Sequence, residues 1–352
     1  MYNPAPEVGN VPERKKYASR KETPWDNMER TAMQEFIRSN YVDDWDDRHL
    51  RLRQTNEADL INSIVPSSCP YCHSETIIRK GMNSNHIQRY FCKQCNRFFV
   101  PTTGTIFDEH KISIREWISY SLNILRYVSI TADSWNNKND FKTSRYWLQK
   151  LFAVLEPYQA GIILSGKVTL DETFYTLRSG DIELNPDGTK PRGLSMNKMC
   201  IGVACDAQNI YCAYEGQGKP SQKSTLAVFK DHIAPGSTLI HDEEKAHKKL
   251  VTTLNLVSES YNSKDLKLLD DKKNPLRRVN EVHARLKDFL NAHPSFIRDE
   301  LPGYLNVFAF AMNPPHNKLE KMEVLLNLAF QNRQIIRYRD FYQAKSKVVD
   351  DF

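Results

Sequence analysis

Two C-x-x-C pairs constrain this chain more than any other feature. Cys69-Pro-Tyr-Cys72 is followed, after nineteen intervening residues, by Cys92-Lys-Gln-Cys95. Each C-x-x-C turn aims two sulfurs at one point, and four thiolates suit tetrahedral zinc. A redox C-x-x-C stands alone beside a βαβ unit, whereas here two pairs stand at the spacing of a zinc site. The segment is too small for a core of its own, so a closed Cys69–Cys72–Cys92–Cys95 site is expected to be structural, a small zinc ribbon. His73 follows the first pair directly, but four cysteines already fill the coordination sphere, and it reads as a surface residue. The other cysteines, Cys200, Cys205 and Cys212, lie in apolar, strand-like text. An odd total of seven argues against a disulfide framework and for metal binding plus buried thiols.

Charge around the pairs is lopsided. From Cys69 to Arg97 the basic residues Arg79, Lys80, Arg89, Lys93 and Arg97 face the single acid Glu75. Together with Tyr90, Phe91, Phe98 and Phe99 they make an aromatic and cationic surface suited to DNA phosphates, with Arg89, Lys93 and Arg97 as candidate contacts. Some of these aromatics are expected to form the ribbon's own small core. Over the whole chain 49 basic residues stand against 43 acidic ones, a net +6 that permits a nucleic-acid partner without requiring one. No apolar run approaches the roughly 18–20 residues needed to span a bilayer. The opening residues lack the apolar core of a secretory signal. No membrane partner is expected, and a cytoplasmic, nucleoid-associated location is the expectation.

The 352 residues divide by composition. Residues 1–65 read as partly disordered and then helical, with short helices between Trp25 and Ile64. The ribbon follows over 66–103, and Pro101 and Gly104 punctuate its exit. Residues 104–160 read as helical: Ile114, Trp117, Ile118, Leu122 and Leu125 recur at helical spacing, as do Tyr146, Trp147, Leu148, Leu151 and Phe152. This stretch is either a helix-turn-helix or a helical linker packed on the next domain. From Gly161 the period changes to strand, and 161–315 reads strand, strand, strand, helix, strand, helix, strand, helix. That order describes an α/β domain with a mixed sheet. Residues 316–352 read as a helical, basic tail.

Two acids stand out there. Asp171 is central in the strand Val168–Tyr175, and Asp242 ends the strand Ser237–His241. An acid within an apolar strand is costly to bury without a partner or a metal. On neighbouring strands of one sheet, such a pair can share divalent cations for phosphodiester chemistry. Taken singly, each acid is more often a strand-end or capping residue. A third element is the helix RRVNEVHARLKDFL. Asn280, His283 and Lys287 share one face, while Leu286, Phe289 and Leu290 turn to the core. Glu281 is rotated about a quarter turn from that face.

These elements resemble bacterial insertion-sequence transposases with an ISXO-type transposase domain. The resemblance runs from about Pro66 to Pro315. It is carried by CPYC…RYFCKQCNRFFVPTTGTIF, by VTLDETF, by IHDEEKAHKKL, and by VNEVHARLKDFL followed by LPGYLNVFAFAMN. It implies a ribonuclease H-like mixed sheet with flanking helices and a DDE-type triad, in which some subgroups carry Asn third. On that basis Asp171 and Asp242 are the two acids and Asn280 the third catalytic position, with Mg2+ or Mn2+ held at Asp171 and Asp242. Lys287 is implied as a DNA-phosphate contact, with Arg278 able to do the same. Asn280 departs from a full carboxylate set, since an amide does not offset a metal's charge; Glu281 is the alternative third residue. The function implied is binding of insertion-sequence ends followed by metal-dependent cleavage and transfer of double-stranded DNA, by a homo-oligomer. The rival reading is a non-catalytic zinc-ribbon DNA-binding protein or regulator derived from such an enzyme.

Overall fold

The computed structural model describes residues 57–342, apart from 109, 111–112, 138, 177–181, 267 and 295. The disorder expected for residues 1–25 and most of the helical text before Ile64 lie outside the described residues. Helix α1 spans Glu57–Ser63. Hydrogen bonds anchor it to later segments: the Gln88 amide donates to Asn62 Oδ1 at 2.8 Å, Asn62 Nδ2 donates to the His86 carbonyl at 2.9 Å, and the Arg115 amide donates to Glu57 Oε1 at 3.2 Å.

Three short antiparallel strands form the ribbon: β1 (Ile77–Met82), β2 (Gln88–Cys92) and β3 (Phe98–Phe99), in that spatial order. The interior is minimal. Tyr90 stacks on Phe99 with ring centroids 5.6 Å apart, and both are buried with Cys69 and Cys92. Phe91 and Phe98 pair on the other side of the strands, at 4.9 Å, with Phe98 exposed.

Helices α2 (Ile114–Leu125), α3 (Ile130–Asn137) and α4 (Phe141–Leu155) follow. Ser113 and Asp140 accept from first-turn amides and so cap α2 and α4. The apolar stripes of α2 and α4 meet where Tyr120 stands edge-on to Trp147 at 5.4 Å. Asp133 of α3 is fully buried between them and accepts from Asn123 Nδ2 at 3.0 Å and Ser144 Oγ at 3.2 Å. A buried carboxylate is tolerable on those terms, and it joins the three helices.

The main sheet contains β4 (Lys167–Thr176), β5 (Lys198–Cys205), β6 (Ile210–Gln217), β7 (Thr238–Asp242) and β8 (Val257–Tyr261). Its spatial order is β6-β5-β4-β7-β8. The first three strands form an antiparallel meander, and β7 and β8 run parallel to β4. Asp206 makes the β5–β6 turn: its Oδ1 accepts from the amides of Gln208 and Asn209, both at 2.8 Å. Helix α5 (Gln222–Phe229) connects β6 to β7, and α6 (Lys248–Thr253) connects β7 to β8. This mixed sheet with an antiparallel leading half and parallel crossovers is a ribonuclease H-like fold.

Strand alternation divides the core. Val168, Leu170, Ala204 and Leu239 pack with Phe229 and Leu250 on one face. Ile201, Val203, Cys205 and Ile240 pack on the other, beneath α7 (Arg277–Ala292) and α8 (Leu301–Met312). Helix α8 is apolar almost all round, as a helix threaded between a sheet and a second helix must be. It lies against both β6 and α4. Edge strand β6 does not end in bare backbone. Gln159 donates to the Cys212 carbonyl at 3.0 Å and accepts from the Cys212 amide at 2.9 Å, and Asn313 does the same for Ile210 at 2.9 and 2.7 Å. Two side-chain amides thus replace a missing neighbour strand. Helix α9 (Lys318–Gln331) packs back on α4. Among the described residues no helix is long and apolar enough to cross a membrane.

The α8–α4 contact depends on Gly303, where an added Cβ would lie 2.6 Å from the Phe152 ring. Gly303→Ala should therefore destabilise the chain by about 1–3 kcal/mol in urea unfolding. Adding Phe152→Leu to that variant should recover part of the loss, which a pure helix-propensity effect would not allow.

Candidate active site and metal centres

The parallel register sets Leu170 of β4 opposite His241 of β7. The next residue on each strand, Asp171 and Asp242, is therefore level with the other and on the α7 face, like Ile240. Both side chains are about a quarter exposed. Burial pushes the Asp171 carboxyl up to about 7, and the neighbouring charges of Glu172 and Asp242 add to the shift. Without a cation this pair holds a proton near neutrality. Two hard oxygen donors at one level suit a magnesium- or manganese-like ion.

Helix α7 crosses this position. It buries His283 beside the first acid, with Nδ1 3.9 Å from Asp171 Oδ2. Burial lowers the His283 pKa to about 4, so a neutral imidazole stands beside the acid. Asn280 stands one turn earlier and Lys287 one turn later on the same face, and both are exposed. Glu281 is turned away and accepts from Arg277 Nε at 2.7 Å. Arg278 is also directed elsewhere, with Arg285 and His316 around a pocket beside the end of α8. Lys287 and Arg278 thus stand on different sides of the helix. What the Asn-His-Lys spacing did not disclose is that its middle member is buried against Asp171.

On the sheet's opposite face, where strand alternation sends Glu172, lies a cluster of Glu172, His241 and His247. Glu172 Oε1 is 2.8 Å from His247 Nε2, and His247 Nδ1 is 3.0 Å from His241 Nδ1 and 3.9 Å from Asp242 Oδ1. Glu215 is buried nearby and accepts from Thr225 at 2.6 Å; burial, then the charge of Glu172, raises its pKa to about 7. Burial alone would keep His247 neutral, but its hydrogen bond and charge contact with Glu172 raise its pKa above the ordinary value. The signal for this cluster was faint: Glu172 is an acid that shares its strand face with Leu170 and Phe174.

In the ribbon, the sulfurs of Cys69 and Cys95 are 3.6 Å apart, as are those of Cys72 and Cys92. All four fall within 4.8 Å of one another. Thiolates about 2.3 Å from a shared tetrahedral ion are about 3.8 Å apart, so the group can hold one metal ion. The two turns are alike in detail. His73 and Asn96, each following the second cysteine of its pair, take left-handed φ of 60° and 56° and donate backbone N–H to the carbonyls of Cys69 and Cys92. His73 is therefore a turn residue rather than a ligand. Amide donors from Cys95 first, opposed by burial, lower the Cys92 thiol to about 7. Arg89 stacks over Phe98 at 4.7 Å and Arg97 over Tyr71 at 5.0 Å, while Lys93 is exposed.

Residues 163–313 match the family model for the ISXO2-like transposase domain. An uncharacterized protein in transposable element ISH50 of Halobacterium salinarum is 30% identical over 128 residues, 36% of this chain and 42% of that protein. The match thus spans less than half the length of that relative. Among solved structures, the Mos1 transposase catalytic domain with Raltegravir and Mg aligns at 13% identity and a TM-score of 0.23, covering 62% of this chain and 98% of that one. A simian T-cell lymphotropic virus intasome in complex with PP2A regulatory subunit B56 gamma aligns at 10% identity and a TM-score of 0.28, covering 54% and 66%.

A carboxyl that binds its proton more tightly folded than unfolded stabilises most at low pH, and loses that contribution as pH rises from about 4 through about 7. Asp171→Asn should therefore stabilise the metal-free chain at pH 8, by on the order of 1–3 kcal/mol, and hardly at all at pH 4. Thermal unfolding across that range checks the slope. Magnesium should raise the wild-type midpoint at pH 8 and leave that of the variant unchanged.

Proposed function

We propose that this chain, which carries an ISXO2-like transposase domain over residues 163–313, binds the ends of an insertion sequence and cuts and rejoins DNA there. The observation carrying this reading is the placement of Asp171 and Asp242 at one level on adjacent parallel strands, beneath the helix bearing Asn280, His283 and Lys287. The reaction is hydrolysis of a phosphodiester at the element end, followed by attack of the released 3′-hydroxyl on a phosphodiester of target DNA.

Asp171 and Asp242 would hold the divalent ion, Mg2+ or Mn2+. When bound, that ion supplies Lewis-acid polarisation of the phosphodiester and a lowered pKa for the attacking oxygen. Asn280 is proposed as the third member on the helix face, a neutral oxygen donor, and is preferred to Glu281 because that carboxylate is taken by Arg277. The neutral His283 imidazole packs beside the Asp171 carboxyl, 3.9 Å from Oδ2. Lys287, exposed one turn beyond His283, is proposed to neutralise a DNA phosphate beside the acids. Arg278, on the other side of the helix, would meet a different stretch of backbone. The four-cysteine ribbon, over residues 66–103, is proposed to bind zinc and, through Arg89, Lys93 and Arg97, to contact DNA at the element ends, with residues 104–160 assisting. Joining two ends requires at least two copies on DNA, so a homo-oligomer is proposed.

A reading without catalysis also has one observation behind it: the third position is an amide, and the nearest carboxylate on that helix is engaged elsewhere. A strand-transfer assay with labelled element-end DNA and Mg2+ or Mn2+ separates the two. Asp171→Ala and Asp242→Ala should each lower product at least 100-fold while end binding persists; equal background from wild type and both variants would leave only the binding protein. Lys287→Ala should weaken DNA binding and reduce the slope of log K against log salt by about one unit. Chelation of the ribbon ion, or Cys92→Ser, should abolish end binding with the acids intact.

A further inference from the structure

Behind the two acids, His241, Asp242 and His247 place three donor atoms within 4.8 Å of one another. Both histidines are buried, and His247 is fully enclosed. The two Nδ1 atoms lie 3.0 Å apart, and His247 Nδ1 is 3.9 Å from Asp242 Oδ1. Each ring's outer nitrogen is held by a separate partner, His247 Nε2 by Glu172 at 2.8 Å and His241 Nε2 by Ser258 Oγ at 2.9 Å. Histidines that ligate metals show this arrangement, with one nitrogen turned inward and the other fixed by a carboxylate or hydroxyl.

We propose that His241, His247 and Asp242 form a second divalent-metal site in this domain, for a transition ion of the manganese, iron or cobalt type. Two nitrogens 3.0 Å apart and about 2.1 Å from a common ion subtend about 90°, the octahedral angle. Two histidines and one carboxylate leave further positions open on such an ion. The Asp242 carbonyl, 2.5 Å from His241 Nδ1, is an oxygen donor on the same side. In the ion-free chain a proton on His241 Nδ1 occupies that contact, and the ion takes its place. Entry is through Asp242, a quarter exposed, since both rings are closed in. The ion at Asp171 and Asp242 takes oxygen donors alone, so the two sites differ in ligand type and share only the Asp242 carboxylate.

This site stands apart from the strand-transfer reading, and its test can succeed or fail without it. The full chain is first loaded with one equivalent of zinc to fill the ribbon, and then titrated with Co2+. The expected result is weak ligand-field absorption without thiolate charge-transfer bands, at one equivalent, in the Asp171→Asn chain as well as in wild type. His247→Gln and His241→Ala should lower Co2+ affinity at least 100-fold, and Glu172→Gln about 10–100-fold. Should either histidine variant fold poorly, a crystal of the unaltered chain soaked in Co2+ decides through its anomalous scattering. A peak between the two Nδ1 atoms supports the site. Peaks at the ribbon or at Asp171 alone, or Co2+ uptake indifferent to His247, would overturn it and leave the cluster as a hydrogen-bonded network.

Discussion

Two carboxylates set side by side in a half-dry sheet repel each other, and much of this domain is arranged around that repulsion. The parallel pairing of β4 with β7 brings Asp171 level with Asp242, and burial raises the proton affinity of Asp171 toward neutrality. Neither consequence is removed by the protein's own cations. Among the described residues no arginine or lysine is paired with Asp171; the group that α7 presents is a neutral imidazole. A sheet that sets two acids level, with no arginine or lysine beside Asp171, favours a bound positive charge. The rest of the architecture makes that arrangement tolerable, with a full apolar layer under α7 and α8 and an edge strand capped by the Gln159 and Asn313 amides.

The same residue row is polar on its back side. Strand alternation sends Glu172 away from Asp171 and into contact with His247, which reaches His241 and the flank of Asp242. Asp242 belongs to both faces because it ends its strand, where the chain leaves the sheet and the side chain is no longer confined to one side. Glu244, two residues on, accepts from the Lys245 amide and turns the chain into the short helix that carries His247. Glu243 accepts from Asn262 beyond β8. The local turn is thus what couples the front of the sheet to the buried histidines behind it.

The ribbon answers a different constraint. Its interior amounts to little more than Tyr90, Phe99 and two cysteines, too little apolar area to offset chain entropy, so the four thiols carry its cohesion. Its outer face is free to present cations, and two of these, Arg89 and Arg97, sit over aromatic rings. That contact orders the guanidinium groups before any phosphate arrives.

Much of this was legible in the residues themselves. The cysteine spacing, the switch from helical to strand period near Gly161 and the core stripe of Leu286, Phe289 and Leu290 are local or periodic signals, and the chain writes them in order. Helix α5 stops at Phe229, four residues before Ile233 bridges to Leu164, a length that packing decides. What no local signal carried was pairing between residues far apart: that Asp171 and Asp242 share a level, that a buried His283 stands beside Asp171, and that Glu172 and His247 meet across 75 positions. Register between strands and the rotation of a helix over a sheet are set by how whole faces interlock. The sequence by itself therefore determined which groups were available and on which kind of element, and the tertiary structure decided which of them stand within reach of one another.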